Sequence, residues 1–112
     1  MKKSIRPRVC AQKLHALAAP ERLQILCILR ERARNVSEMA EQLGTTLVNV
    51  SHHINVLRHA GLVRGKKTGR FVYYSLPPGF LQRDEHTDRV EYFDLGCCRL
   101  EVPRCEDSST TA

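Results

Sequence analysis

Apolar residues in the first half of the chain recur at the three-to-four-residue spacing that favours amphipathic helices. Four segments show it: Val9–Leu17, a run from Pro20 to about Arg34, Ser37–Leu43 and Thr46–Gly61. The second is the most apolar and is predicted to be the central buried helix, with Pro20 in its first turn. After Gly61 the apolar runs become short and strand-like. The pattern therefore predicts a helical body followed by a small β element.

The segment Thr46–Gly61 has two faces of different chemistry. The apolar face, which is expected to pack on the core, holds Val50, His53, Ile54, Val56 and Leu57. The opposite face has no acidic residue to repel phosphate and holds Val48, Ser51, His52, Asn55, Arg58 and His59. Thr46 is a favourable N-cap and Gly61 a favourable C-terminal stop. Taken alone, this is either an ordinary surface helix or a helix that enters the major groove of DNA.

The residues that follow favour the DNA-binding interpretation. Leu62–Gly65 and Phe71–Leu76 are strand-like, and the basic turn Lys66–Arg70 lies between them. A polar helix followed by a hairpin with a cationic turn is typical of a winged helix-turn-helix, in which the hairpin contacts the DNA backbone. The predicted fold is therefore mainly α with a small β-hairpin, an α+β winged helix-turn-helix.

Charge is distributed unevenly along the 112-residue chain, whose formal net charge is +6. Residues 1–83 carry a net charge of +11 and residues 84–112 a net charge of −5. Positive charge on that scale supplies sequence-independent affinity for nucleic acid. No apolar run reaches the ~18 residues of a membrane span. We expect a cytoplasmic protein without a membrane partner, in which the five cysteines stay reduced.

Four segments resemble the ArsR/SmtB family of bacterial metal-sensing repressors, in family order and at family spacing: Leu17–Leu26, Val36–Gly44, Val50–Val63 and Gly69–Leu76. The resemblance implies a homodimeric winged-helix repressor that binds an inverted-repeat operator in double-stranded DNA and leaves it when an inducer binds. An enzyme is not expected, because the chain has neither a Cys-x-x-Cys motif beside a βαβ unit nor a phosphate-binding cysteine loop.

The predicted DNA contacts divide between the helix and the hairpin. The amino-terminal part of a recognition helix usually enters the groove deepest, so the base contacts are assigned to Thr46, Val48, Asn49, Ser51 and His52. The family often has Gln and Ser where this chain has Leu47 and Val48. A valine there suits a thymine methyl group. Backbone contacts are assigned to Lys66, Lys67 and Arg70, whereas His53 is predicted to be a border residue of the core.

The sequence after the hairpin departs from the family pattern. Many members continue into a long helix, and some carry a zinc site there made of Asp and His. Phe80–Glu91 offers His86 with only Asp84 and Asp88, which does not reproduce that spacing. We predict partly extended structure over Val90–Val102. The predicted organisation is a basic arm over residues 1–8, a DNA-binding and dimerisation domain over 9–95, and a cysteine-containing tail over 96–112.

Three thiols lie close together in that tail: Cys97, Cys98 and Cys105. Adjacent cysteines bridge each other only through a strained ring, so a Cys97–Cys98 disulfide is not expected. Thiolates select soft ions, and three of them match trivalent arsenic or antimony. A Cys-Cys pair followed by a third cysteine resembles the sensor site of arsenite-responsive members of the family. Arsenite or antimonite is therefore the predicted inducer, and no other cofactor is expected.

Other uses of the cysteines remain open. Zinc or cadmium would need a fourth ligand, which Cys10 or His86 could supply. Cys27 lies in the most apolar helix and is predicted to be a small buried thiol. Some family members pair a cysteine at this place with one near the C-terminus and sense reactive sulfur or redox change.

Overall fold

The computed structural model describes residues 5–86 and 91–102. Within these ranges the chain forms a winged helix-turn-helix followed by a small second sheet, so the predicted fold class is confirmed. The helices are α1 (Pro7–Leu17), α2 (Pro20–Leu29), α3 (Val36–Leu43) and α4 (Leu47–His59). The strands are β1 (Arg64–Thr68), β2 (Phe71–Ser75), β3 (Leu81–Arg83), β4 (Glu91–Asp94) and β5 (Arg99–Val102). None of the described helices has the length and apolar character needed to cross a membrane.

The first two helices differ from their predicted bounds at one end each. α1 begins at Pro7, inside the segment predicted to be a basic arm. α2 ends at Leu29 and does not continue to Arg34. The reason is that the backbone of Arg34 pairs with that of Tyr74 in β2, with N···O distances of 3.1 and 2.8 Å. This pairing takes the residue out of the helix and attaches the start of α3 to the hairpin.

A capping box begins α3, and its N-cap is Asn35, two residues before the start of the predicted Ser37–Leu43 segment. The Asn35 Oδ1 atom accepts from the backbone N–H of Glu38 at 2.8 Å, and Glu38 Oε1 accepts from the backbone N–H of Asn35 at 3.0 Å. Glu38 lies three residues after Asn35, which is the spacing this motif needs. Gly44 ends the helix in the left-handed conformation, with φ of +67°.

The core forms where α2, α3 and α4 meet, and the C-terminal sheet contributes to it. Its largest fully buried side chains are Phe93, Ile25, Leu26, Met39, Ile54, Leu57, Leu62 and Val50. Burial of each such side chain stabilises the fold by roughly 1.5–3 kcal/mol. The apolar face predicted for α4 is thus confirmed at Val50, Ile54 and Leu57.

The hairpin of β1 and β2 is the predicted wing, although its turn is shorter than expected. The strands pair antiparallel from Arg64 opposite Ser75 to Thr68 opposite Phe71. Only Gly69 and Arg70 lie between them, and Gly69 has a φ of +66°. Lys66 and Lys67, which were predicted in the turn, are therefore strand residues because the ladder continues to Thr68.

After the wing comes a three-stranded antiparallel sheet of order β3-β4-β5, and not the long helix that the family resemblance implies at this place. Phe93 is 1% exposed, and its ring stacks on Phe80 with centroids 4.9 Å apart. Its neighbours Tyr92 and Asp94 are more exposed, as the two-residue alternation of a strand requires. β4 and β5 confirm extended structure in the predicted Val90–Val102 segment. Because this sheet continues to Val102, a tail boundary at residue 96 falls inside it.

Candidate functional site

The amino-terminal half of α4 presents a polar surface that the core does not use. Thr46 caps the helix, since its Oγ1 accepts from the backbone N–H of Asn49 at 3.1 Å. Val48 is 80% exposed and His52 is exposed, whereas Asn49 and Ser51 are half-buried. The side-chain amide of Asn49 donates to Thr45 Oγ1 at 3.0 Å, so this amide is already oriented before any ligand binds.

The wing adds positive charge beside this helix. Lys66, Lys67 and Arg70 are all exposed. Consecutive strand residues point to opposite faces of a sheet, so Lys66 and Lys67 lie on opposite sides of the two-stranded ribbon. A DNA backbone on one side of the wing would therefore lie closer to one of these lysines than to the other.

A second candidate site is a cluster of three cysteines, which we call the thiol cluster: Cys10, Cys97 and Cys98. Their Sγ atoms lie within 4.8 Å of one another. Cys10 and Cys97 are joined in a disulfide with an S–S distance of 2.06 Å. The free Sγ of Cys98 lies 3.9 Å from the Sγ atoms of both. Cys10 is buried, Cys97 is half-buried and Cys98 is exposed, so the cluster opens to solvent on one side.

A tight turn between β4 and β5 positions the two adjacent cysteines. Asp94 Oδ1 accepts from the backbone N–H of Gly96 at 2.8 Å, and the backbone N–H of Leu95 donates to the carbonyl of Cys98 at 2.9 Å. Gly96 has a φ of +88°, which favours glycine at this position. Lys13, one helical turn after Cys10 on α1, donates from Nζ to the carbonyl of Leu95 at 2.8 Å. The turn is therefore attached to α1 by a hydrogen bond as well as by the cysteines.

The thiol cluster differs from the predicted three-cysteine site in one member. Cys97 and Cys98 lie together as predicted, and Cys105 falls outside the described residues. Cys10 joins them, although the sequence suggested it only as a fourth ligand for zinc. Its place in α1, 87 residues before Cys97, gives no local spacing that could have identified it. His86 is exposed and lies outside this group. Cys27 was predicted to be a small buried thiol, but its side chain is only half-buried.

A buried arginine connects α1 to the recognition helix. Arg22 is 9% exposed and donates from Nε to the carbonyl of Ala16 at 2.6 Å. A second guanidinium nitrogen lies 3.2 Å from Nδ1 of His53 on α4. Because a guanidinium can only donate, this contact requires an unprotonated Nδ1. His53 is thus a border residue with a partner, as predicted.

Burial lowers the pKa of His53 below its ordinary value of 6.5. Of the nearby charges, Glu21 raises this pKa, while Arg22 and His52 lower it. The balance favours the neutral ring, which is the form that can accept from Arg22.

The helix-turn-helix, wing and polar α4 surface together define a DNA-binding transcriptional regulator, and the comparisons with known proteins agree. Residues 19–64 match the model of the bacterial regulatory protein arsR family. The HTH-type transcriptional regulator NmtR of Mycobacterium tuberculosis is 47% identical over 88 residues, which cover 77% of this chain and 73% of NmtR. This chain belongs to the arsR family.

Solved structures of related proteins support the same assignment. Reduced HlyU from Vibrio cholerae has a TM-score of 0.61 and 33% identity, covering 65% of this chain and 77% of HlyU. The homodimeric winged helix-turn-helix domain of Mb0332 from Mycobacterium bovis also has a TM-score of 0.61 and 33% identity. That match covers 62% of this chain and 65% of the Mb0332 chain. NmtR is a transcriptional regulator, and HlyU of Vibrio cholerae is a transcriptional activator.

Proposed function

We propose that this protein is a cytoplasmic, homodimeric transcriptional repressor that leaves its operator when trivalent arsenic or antimony binds the thiol cluster. The observation that carries the proposal is the convergence of Cys10, Cys97 and Cys98 in a protein with a DNA-binding wing and recognition helix. In the reducing cytoplasm the cluster would hold three thiols, because disulfides there are normally kept open.

The donor set favours a soft ion with few ligands. Three sulfurs supply the three bonds that trivalent arsenic and antimony prefer, and such thiophilic ions bind thiolate in preference to oxygen or nitrogen. Structural zinc sites almost always have four ligands. Within the described residues only these three cysteines make up the group, so zinc or cadmium would need a further ligand from elsewhere.

An ion held by these cysteines would connect α1 to the β4–β5 turn. α1 also carries the Ala16 carbonyl to which Arg22 donates, and Arg22 contacts His53 on α4. A shift of α1 would therefore move a buried contact of the recognition helix. For release, the ion must bind more tightly to the free protein than to the DNA-bound protein. A difference of about 1.4 kcal/mol between these two ion-binding free energies weakens operator binding tenfold.

On DNA, we propose that α4 enters the major groove and the wing contacts the backbone. The groove residues are Thr46, Val48, Asn49, Ser51 and His52. The backbone contacts come from Lys66, Lys67 and Arg70. Ser51→Ala or His52→Ala should lower the preference for the operator more than it lowers general affinity, because base contacts carry sequence information and phosphate contacts do not.

A second copy of the chain is proposed as the partner, and an inverted-repeat operator follows from the twofold symmetry of such a dimer. Mb0332, of similar fold, is a homodimer. Val9, Leu14 and Leu23 on α1 and α2 are 45%, 46% and 39% exposed, which leaves apolar surface that a partner could cover. Light scattering at micromolar concentration should give twice the chain mass, and a monomer both free and on DNA would contradict the dimer.

The proposed function is tested by titrating arsenite into a complex of the reduced protein with its operator. Fluorescence anisotropy should show operator affinity falling by about tenfold or more. Cys98→Ser is the sharpest variant, because Cys98 is exposed and its replacement should leave folding and DNA binding unchanged. Release that persists in this variant, or its absence in the wild type, would contradict the proposal.

The third sulfur ligand is identified by X-ray absorption at the arsenic edge. We expect a three-sulfur shell for the wild type and a two-sulfur shell for Cys10→Ser. A two-sulfur shell for Cys105→Ser instead would assign the third ligand to Cys105. Cys27→Ser is the control and should retain both the shell and the response to arsenite; loss of the response would favour a sensor that uses Cys27.

A further inference from the structure

The thiol cluster supports a second chemistry in addition to ion binding, because Cys10 and Cys97 are joined in a disulfide. We propose that peroxide is a second signal for this regulator and that closing the Cys10–Cys97 disulfide releases the operator without any ion. This inference rests on the proposed function, since it concerns the same cluster and the same DNA complex.

The argument is that the disulfide and the ion connect the same two elements. An ion bound by the cluster would link α1, through Cys10, to the β4–β5 turn, through Cys97 and Cys98. The disulfide links α1 to that turn directly, across 87 residues of sequence. If restraint of α1 against the turn is what weakens DNA binding, either link imposes it. The two signals also exclude each other, because the disulfide consumes two of the three sulfur ligands.

The exposure of the three sulfurs fits a two-step oxidation. Cys97 is half-buried and Cys98 is exposed, so peroxide reaches the cluster from the side of the turn. Cys10 is 4% exposed and sits behind them, where it meets a sulfur that has already reacted. Thiol oxidation depends on accessibility, and sensor cysteines commonly have a second thiol within reach. Accessibility alone would equally admit Cys98, so the disulfide between Cys10 and Cys97 is what assigns the first oxidation to Cys97.

The reaction balances with hydrogen peroxide as the named oxidant. The sulfur of Cys97 attacks one peroxide oxygen and the O–O bond breaks. Cys97 becomes a sulfenic acid, and the other peroxide oxygen is released as water. The sulfur of Cys10 then attacks the sulfur of Cys97, the S–O bond breaks, and a second water leaves. Two thiols lose two electrons, and one peroxide becomes two waters. Reduction by a dithiol reverses the change.

The experiment uses the full chain carrying Cys27→Ser and Cys105→Ser, which leaves the thiol cluster as the only cysteines of the original five. The reduced protein on operator DNA is treated separately with arsenite and with one equivalent of hydrogen peroxide. Peptide mapping by mass spectrometry identifies the disulfide that forms. Operator affinity is measured by anisotropy before treatment, after it, and after dithiothreitol.

We expect peroxide to close Cys10–Cys97 and to weaken operator binding by about tenfold or more, with recovery in dithiothreitol. Adding Cys98→Ser should remove the response to arsenite and keep the response to peroxide, because it deletes an ion ligand and spares the disulfide. Adding Cys10→Ser should remove both responses.

Two results would overturn the inference: a mapped Cys10–Cys97 disulfide with unchanged operator affinity, or a peroxide response that survives Cys10→Ser. Either result together with intact arsenite release leaves the proposed function standing. A peroxide response together with no binding or release by arsenite would instead contradict the proposed ion sensor.

Discussion

Replacing Arg22 with Met tests the connection between α1 and the recognition helix. Arg22 is a buried cation whose Nε donates to the carbonyl of Ala16 at 2.6 Å and whose guanidinium lies 3.2 Å from Nδ1 of His53. Methionine keeps an unbranched apolar stem but removes every donor. The variant therefore deletes these two hydrogen bonds, together with a longer one of 3.5 Å from the guanidinium to the carbonyl of His15, with little change in packing.

The expected cost follows from the bonds that are lost. A hydrogen bond with a charged partner contributes about 1.5–3 kcal/mol, and the bond to Ala16 is of this kind. Loss of the bond to His53 adds to this destabilisation. Part of it is offset, because burying a guanidinium carries a desolvation penalty that the methionine variant does not have. We expect a net destabilisation of about 2 kcal/mol. For a domain of this size that lowers the melting temperature by about 10 °C.

Urea unfolding followed by circular dichroism, at one fixed protomer concentration, measures the effect for Arg22→Met, His53→Gln and the double variant. The two changes should be non-additive by about 1 kcal/mol, because the residues share a hydrogen bond. Arg32→Met is the matched control, since its exposed ion pair with Glu38 at 3.5 Å is worth less than about 1 kcal/mol. An Arg22→Met variant as stable as this control, or strict additivity with His53→Gln, would refute the reasoning.

Three other outcomes are expected. Lys66→Ala and Lys67→Ala should differ in their effect on the salt dependence of DNA binding, because the two lysines lie on opposite faces of the wing. One substitution should reduce the log–log slope by about one and the other by less. Asn35→Ala should cost about 1 kcal/mol in urea unfolding, since it removes the N-cap of α3. Stability should fall as pH drops from about 6.5 through the lowered pKa of His53, because the unfolded chain then binds a proton that the folded chain does not. Unfolding at about pH 7.5 and about pH 5.5 should show a smaller loss in His53→Gln, and an equal loss would contradict this assignment.

The helix-turn-helix was predictable because its signals are local. Thr46 as a cap, the apolar face of α4 and the Gly69 turn each depend on residues a few positions apart. The end of α2 was not predictable in this way. Its sequence continues to favour helix, but the pairing of Arg34 with Tyr74, distant in sequence, ends it earlier.

The thiol cluster shows the same division. The adjacent pair Cys97 and Cys98 is visible in the sequence, and soft-ion chemistry follows from it. Cys10 became a member only through the packing of α1 against the β4–β5 turn, which Lys13 reinforces by its hydrogen bond to Leu95. No periodicity in the chain encodes that contact. Sequence reasoning therefore found two members of the cluster, Cys97 and Cys98, but not Cys10.

The central claim is that the link between α1 and the C-terminal turn controls DNA binding. Its most direct test is the operator dissociation constant of the reduced protein, measured with and without arsenite in the wild type and in Cys10→Ser. We predict that arsenite weakens operator binding by about tenfold or more in the wild type and leaves it unchanged in Cys10→Ser. An equal loss of affinity in both proteins would contradict the claim.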